Sequence, residues 1–87
     1  MKKILITGGA GFIGSNAAEY FFKKNWKIYI LDNLSRKGSE SNLNRLKKSI
    51  KVIFVKCDIR NFKNLSKVIK KINPHAIIHA AGQVAVT

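Results

Sequence analysis

The sequence predicts an α/β fold: a parallel β-sheet in the strand order 3-2-1-4, with helices on both faces. Three observations predict it. Short runs rich in β-branched and apolar residues recur at 3–7, 27–32, 52–58 and 75–82. Between them lie segments whose apolar residues follow the helical period, so strand and helix alternate, and right-handed crossovers make such strands parallel. Third, the glycine-rich stretch Thr7-Gly8-Gly9-Ala10-Gly11-Phe12-Ile13-Gly14-Ser15 follows the first run directly, and an acid, Asp32, closes the second run 18 residues after Gly14.

Lys3-Ile4-Leu5-Ile6-Thr7 is apolar without alternation, which predicts a strand buried on both faces. The glycine stretch contains two overlapping spacings, Gly9-x-Gly11-x-x-Gly14 and Gly8-x-x-Gly11-x-x-Gly14. Glycine in such a turn tolerates positive φ, lets backbone approach a ligand and leaves no side chain between helix and strand. A helix opening at Phe12 aims its free N–H groups and positive dipole end at an anion, most naturally a diphosphate. Ile13, Ala17 and Phe21 recur at four-residue intervals as far as Lys24, with Gly14, Ala18 and Phe22 beside them. That is the face expected against the sheet.

Asn25-Trp26 breaks the helix, and Lys27–Asp32 is the second strand. Asp32 ends it at the offset of a carboxylate that accepts hydrogen bonds from the adenosine ribose; a turn-capping acid is the alternative. The polar loop Ser35-Arg36-Lys37-Gly38-Ser39 leads to a short helix carrying Leu43, Leu46 and Ile50 on one face. A third strand follows over 52–58. Asn61 can then cap a helix with Phe62, Leu65, Ile69 and Ile72 at helical spacing, which Asn73-Pro74 stops. The fourth strand, 75–82, runs into the small-residue turn Ala80-Ala81-Gly82, and Thr87 falls in the start of a further helix. This is a Rossmann-type, three-layer order cut after its fourth strand, with the ligand crevice between the carboxyl ends of strands one and four. The glycine turn, Asp32, Asp58 and Ala80-Ala81-Gly82 converge there.

With 87 residues and 46% hydrophobic content, the chain is at most one small globular domain. Its 17 Lys and Arg against 4 Asp and Glu give a formal charge of +13, which raises the question of nucleic acid. Fourteen of the 17 are lysines, mostly at solvent positions of predicted helices, without the arginine-aromatic interleaving of a single-strand groove. They predict a solvated basic face and no specific nucleic-acid partner. No apolar run suits a membrane span or a secretory signal, and the single Cys57 agrees with a reducing compartment, so the expected location is the cytoplasm.

These residues resemble the extended short-chain dehydrogenase/reductase family, whose nucleotide-sugar epimerases and dehydratases open with T-G-G-x-G-F-I-G. Asp32-Asn33-Leu34-Ser35, Asp58-Ile59-Arg60 and His79-Ala80-Ala81-Gly82 with Gln83-Val84-Ala85-Val86-Thr87 also look like family segments, so the resemblance spans essentially the whole chain. D-N-L-S-R-K-G, D-I-R-N and H-x-A-G-Q-V-A-x-T are most similar to the CDP-paratose 2-epimerase branch. UDP-glucose 4-epimerases share the D-N-L-S and A-G parts but not Gln83-Val84-Ala85-Val86-Thr87. The resemblance implies NAD as cofactor, with Gly8, Gly11, Phe12, Ile13 and the fingerprint's Gly14 at the pyrophosphate. It implies Asp32 and Asn33, with Ser35 of the same segment, at the adenosine ribose, and Asp58 and Ile59 at the adenine. Ala80, Ala81 and Gly82 would pass the nicotinamide side, with Gln83 near it. In relatives, NAD oxidises a sugar carbon to a ketone and returns the hydride to the opposite face.

The family's Tyr-x-x-x-Lys lies beyond a fifth strand, so Tyr20-x-x-x-Lys24 is expected to be a decoy and no catalytic residue is assigned here. The resemblance further implies a nucleotide-sugar substrate bound mostly outside this stretch, no membrane partner, and homo-oligomers among full-length relatives. Residues 1–87 then read as the N-terminal part of an NAD-binding domain, with catalytic and sugar-binding parts absent. The alternatives are a nucleotide-sugar 4-epimerase or 4,6-dehydratase fragment, or an inactive dinucleotide- or polyanion-binding fragment. A sheet cut after strand four leaves an apolar edge, which predicts poor stability or self-association of the isolated stretch. Arg36 and Lys37 could meet a 2′-phosphate, but Asp32 would repel it, so NAD is expected over NADP. Cys57 reads as a small residue at a strand end, His75 and His79 need not be ligands, no metal is expected, and Trp26 and Tyr29 read as packing or edge aromatics.

Overall fold

The computed structural model describes residues 1–80. Four strands, β1 (Lys3–Thr7), β2 (Lys27–Asp32), β3 (Val52–Lys56) and β4 (Ala76–His79), form one sheet in the order β3-β2-β1-β4. All pairings are parallel, with Lys3 opposite Lys27, Ile28 opposite Val52 and Ile4 opposite Ala76. The connections are α1 (Phe12–Lys23), α2 (Ser39–Ser49) and α3 (Phe62–Ile72). This is the expected Rossmann-type order.

Side-chain alternation along the strands divides the core in two. Ile4, Ile6, Ile28 and Ile30 pack with Ala10, Ala18, Leu43 and Leu46, so α1 and α2 cover one face. Leu5 and Leu31 pack with Cys57 and Ile72 on the other face, beneath α3. Ile4, Leu5, Ile6, Ile28, Ile30 and Leu31 are fully buried. Each such side chain contributes about 1.5–3 kcal/mol relative to its exposed state, which places most of the stabilisation in β1 and β2.

Local chemistry sets the helix ends. The Asn61 side chain accepts the Asn64 N–H at 3.2 Å and caps α3, while Asn73, at φ 52°, closes it in the left-handed conformation before Pro74. Asn25, at φ 68°, turns the chain after α1, and Phe21 then meets Trp26 edge to face at 5.1 Å.

Four expectations are corrected. The sheet-facing stripe of α1 is narrower than expected: it runs through Gly14, Ala17, Ala18 and Phe21, and leaves Ile13 and Phe22 exposed at its margins, with Ile13 lining the cleft. Phe62, the first residue of α3, is 77% exposed, and Leu65, Val68, Ile69 and Ile72 make the contact. The third strand ends at Lys56 rather than Asp58: the Cys57 N–H still reaches the Asp32 carbonyl at 3.0 Å, but the Asp58 carboxylate then takes the Arg60 N–H and turns the chain. The fourth strand begins at Ala76, since the His75 ring, through Nδ1, takes the Lys3 N–H that a strand carbonyl would otherwise accept. It ends at His79, although the Ala80 N–H still donates to the Thr7 carbonyl at 2.8 Å. Gly82, and the further helix expected at Thr87, lie outside the described residues.

Candidate functional site

The loop between β1 and α1 is shaped by three different demands on glycine. Gly8 has φ 75°, a conformation that strains an L side chain. Gly9 lies against β2: a Cβ there would fall 2.5 Å from Ile30 Cδ1 and 2.8 Å from Ile30 Cγ2. At Gly14 a Cβ would meet backbone, 2.6 Å from the Gly8 oxygen and 3.0 Å from the Gly9 carbonyl carbon. These three hold the helix start close over the carboxyl end of β1. Gly11 differs, since a Cβ there would meet only the Gly8 oxygen, at an ordinary 3.4 Å. The protein's own packing does not require glycine at position 11, and what its missing side chain leaves clear is the mouth of the helix.

At that mouth α1 opens without a side-chain cap and with no acid in its first turn. The Ser15 N–H donates to the Gly11 oxygen, so the N–H groups of Phe12, Ile13 and Gly14 precede the first full helical bond. Phe12 and Ile13 are 78% and 60% exposed, and both line the cleft together with the buried Gly14. Free N–H groups at a helix N-terminus, without a competing carboxylate in that turn, suit an anion.

Two carboxylates line the cleft beside the loop, Asp32 at the end of β2 and Asp58 two residues beyond β3. Asp32 Oδ2 accepts the Ala10 N–H at 3.1 Å and Oδ1 accepts the Leu34 N–H at 2.9 Å, so this acid ties the glycine loop to the end of β2. It does cap its turn, and it lines the cleft as well. Asn33 Oδ1 accepts the Ser35 N–H at 3.0 Å and shapes the next turn. Asp58 is gripped by Arg60: Nη2 lies 2.7 Å from Oδ2, Nε lies 3.0 Å from Oδ1, and the Arg60 N–H donates to Oδ1 at 2.9 Å.

Hydrogen bonds from the Arg60 side chain, then from its backbone, hold the Asp58 pKa at about 2, against an ordinary 3.8. Because the folded value is depressed, the contribution of this pair to folding is present above about pH 4 and is lost as pH falls toward 2. Carboxyl-carbon NMR of Asp58 should titrate near 2 in the parent and return toward the ordinary value in Arg60→Met. An unchanged midpoint would refute the assigned cause.

At the seam where β1 and β4 lead away from the sheet, Thr7 Oγ1 and His79 Nδ1 lie 2.6 Å apart. Thr7 is buried, and this bond joins the register pair next to the cleft. Both histidines thus use Nδ1 within the chain.

Together these elements enclose an open cleft of about 510 Å³ at the carboxyl edge of the sheet. It is lined by Gly8, Gly11, Phe12, Ile13, Gly14, Asp32, Asn33, Ser35, Asp58, Ile59 and Ala80, all named from the sequence. Ala81, Gly82 and Gln83 lie outside the described residues. Leu31, Ser39, Cys57 and Arg60 also line it, with Arg36 from the polar loop, and the sequence reading gave the first four no role there. For Arg60 a signal existed, an arginine two residues after a strand-end acid. For Ser39, buried at the start of α2, there was none. Tyr20 and Lys24 sit at the opposite end of α1 from this cleft, with the Lys24 Nζ 5.3 Å from the Tyr20 ring centroid.

An uncapped helix N-terminus over a glycine loop, with a carboxylate at the end of the neighbouring strand, defines the dinucleotide-binding class of α/β folds. Residues 5–87 match the GDP-mannose 4,6 dehydratase family, and the chain belongs to it. A CDP-paratose 2-epimerase of Salmonella typhi is 45% identical over 85 residues, which is 98% of this chain and 25% of that protein. Among solved structures, the UDP-Glc/GlcNAc 4-epimerase of Campylobacter jejuni superposes with a TM-score of 0.87 at 36% identity, covering 99% of this chain and 26% of that one. The dTDP-glucose 4,6-dehydratase of Bacillus anthracis, solved in complex with NAD, gives 0.79 at 35% identity, covering 95% and 27%. The chain therefore spans about a quarter of the length of these relatives. The resemblance to NAD-dependent epimerases and dehydratases is borne out. Among the described residues, no helix is long and apolar enough to cross a membrane.

Proposed function

We propose that residues 1–87 form the N-terminal part of an NAD-binding domain in a nucleotide-sugar epimerase of CDP-paratose 2-epimerase type. One observation carries the cofactor reading: the uncapped N-terminus of α1 and the Asp32 carboxylate face one cleft, with a side-chain-free position, Gly11, at its mouth. The diphosphate takes the N–H groups of Phe12, Ile13 and Gly14, and Gly8 and Gly11 let the backbone approach it. Each Asp32 oxygen accepts one N–H and retains a second acceptor position for a ribose hydroxyl, beside Asn33 and Ser35. Asp58 and Ile59 take the adenine. Ala80, Ala81, Gly82 and Gln83 run along the nicotinamide side.

When bound, NAD supplies the hydride acceptor for one sugar carbon, and the residues of this chain bind and orient it. The nucleotide-sugar itself and the proton-transferring pair belong to sequence other than 1–87. The Salmonella relative supports the epimerase assignment over a dehydratase. The buried free thiol of Cys57 agrees with a reducing, cytoplasmic setting, and a homo-oligomer is expected of the whole enzyme.

Calorimetric titration of the protein tests the cofactor. NAD should bind at least about tenfold more tightly than NADP, since a 2′-phosphate would meet the like charge of the Asp32 carboxylate. Tighter binding of NADP would remove the ribose role of Asp32. Interconversion of CDP-paratose and CDP-tyvelose by the enzyme carrying this chain, followed by proton NMR, tests the substrate. Turnover of UDP-glucose to UDP-galactose in its place would reassign the sugar.

A further inference from the structure

We infer that Arg60 is a positioning residue that sets base selectivity in the cleft: it fixes the Asp58 carboxylate so that its remaining acceptor position meets a 6-amino-purine and refuses a 6-oxo-purine. This rests on the adenine placement proposed above. Arg60 holds both oxygens: its backbone N–H lies 2.9 Å from Oδ1 and Nη2 lies 2.7 Å from Oδ2, with Nε shared between them at 3.0 and 3.1 Å. Three donors thus occupy about three of the carboxylate's four acceptor positions and fix its plane, leaving about one position for a ligand.

The pair is not there for packing. The Arg60 and Asp58 side chains are 84% and 34% exposed, and an ion pair so wetted adds little to folding. Asp58 lies two residues beyond the end of β3, where no sheet pairing holds its side chain. Without the guanidinium fork the carboxylate would keep the backbone N–H of residue 60 on Oδ1 and the neighbouring Asn33 side chain, but lose the two-pronged grip that sets its plane. The guanidinium supplies a planar, two-pronged grip that a lysine ammonium cannot reproduce. An ionised carboxylate only accepts hydrogen bonds. The 6-amino group of adenine donates to it, whereas the 6-oxo group of hypoxanthine would set acceptor against acceptor and leave both unpaired. Selectivity of this kind depends on the orientation of Asp58 and on its charge, and Arg60 governs both.

Titration of the protein with NAD and with nicotinamide hypoxanthine dinucleotide reads the effect. The parent should prefer NAD by about tenfold or more, the value of one well-placed hydrogen bond to a charged acceptor. Arg60→Met should lower that preference by about fivefold, chiefly through weaker NAD binding, and Arg60→Lys should restore only part of it. Asp58→Asn should erase the preference, and the double variant should match Asp58→Asn alone. A merely structural role for Arg60 would weaken both dinucleotides equally. An unchanged ratio in Arg60→Met, or additive effects in the double variant, would overturn the inference while leaving the cofactor assignment intact. Failure of the parent to bind NAD would overturn the cofactor assignment and the inference with it. Arg60 is exposed, so its variants should keep the fold, and circular dichroism of each checks it.

Discussion

Gly14→Ala is expected to lower the melting temperature of the protein by more than about 12 °C, whereas Gly11→Ala keeps the fold and loses the cofactor. A methyl group at position 14 would meet the Gly8 oxygen at 2.6 Å and the Gly9 carbonyl carbon at 3.0 Å, and neither can rotate aside as a side chain could. Overpacking costs about 1–3 kcal/mol where side chains adjust, so against fixed backbone about 3 kcal/mol is expected. For a chain of this size each 1 kcal/mol shifts the midpoint by roughly 4–8 °C. At position 11 the nearest atom would be 3.4 Å away and φ is −83°, so alanine fits, at the cost of about 1 kcal/mol or less for a poorer helix cap. Its methyl group would instead occupy the mouth of α1, and NAD affinity should fall at least about tenfold. Thermal melts followed by circular dichroism, with titrations beside them, separate the two. A Gly14→Ala protein that melts with the parent would mean that the loop and α1 are not packed as closely as this structure has them.

The same contrast shows why part of the molecule was legible from its sequence. β1 and β2 lie where their uninterrupted apolar runs place them, because a strand covered on both faces writes its burial into every residue. The caps at Asn61 and Asn73 were legible because they depend on residues three or four apart. The sheet order followed from crossover handedness, which few topologies satisfy. What the helical period cannot show is which margin of a helix face finds cover. Ile13 keeps the spacing of Ala17 and Phe21, yet the buried line of α1 runs through Gly14 and Ala18 and leaves Ile13 at the cleft, and Phe62 keeps the period of α3 but stays in solvent at its first position. The three roles of the fingerprint glycines also needed coordinates, since only the neighbours of each Cα distinguish Gly14, wedged against backbone, from Gly11, open to the cleft. The bond between Thr7 and His79 joins residues 72 positions apart, and its existence depends on the β1–β4 register. Arg60 was visible beside Asp58, but its fork on the carboxylate is a matter of rotamers.

On the proposed ribose role, Asp32→Ala should weaken NAD binding by at least about thirtyfold, because two charge-assisted hydrogen bonds would disappear, each worth about 1.5–3 kcal/mol before compensation by water. The same change leaves the Ala10 and Leu34 N–H groups without their acceptors, at 3.1 and 2.9 Å in the parent, so folding should also suffer by about 1–3 kcal/mol. Asp32→Asn separates these effects. Its amide oxygen can still receive one of the two N–H groups, while its NH₂ faces the other, donor to donor, so it keeps part of the stability but none of the charge. If the negative charge is what excludes a 2′-phosphate, both variants should narrow the preference for NAD over NADP, with Arg36 on the same cleft available to the phosphate. If Asp32 is only a cap for its loop, affinity in each variant will follow stability and the NAD to NADP ratio will stay where it was. The hydrogen bonds already seen at Asp32 satisfy the capping role, so the ratio, and not the melting point, is the measurement that assigns the ribose.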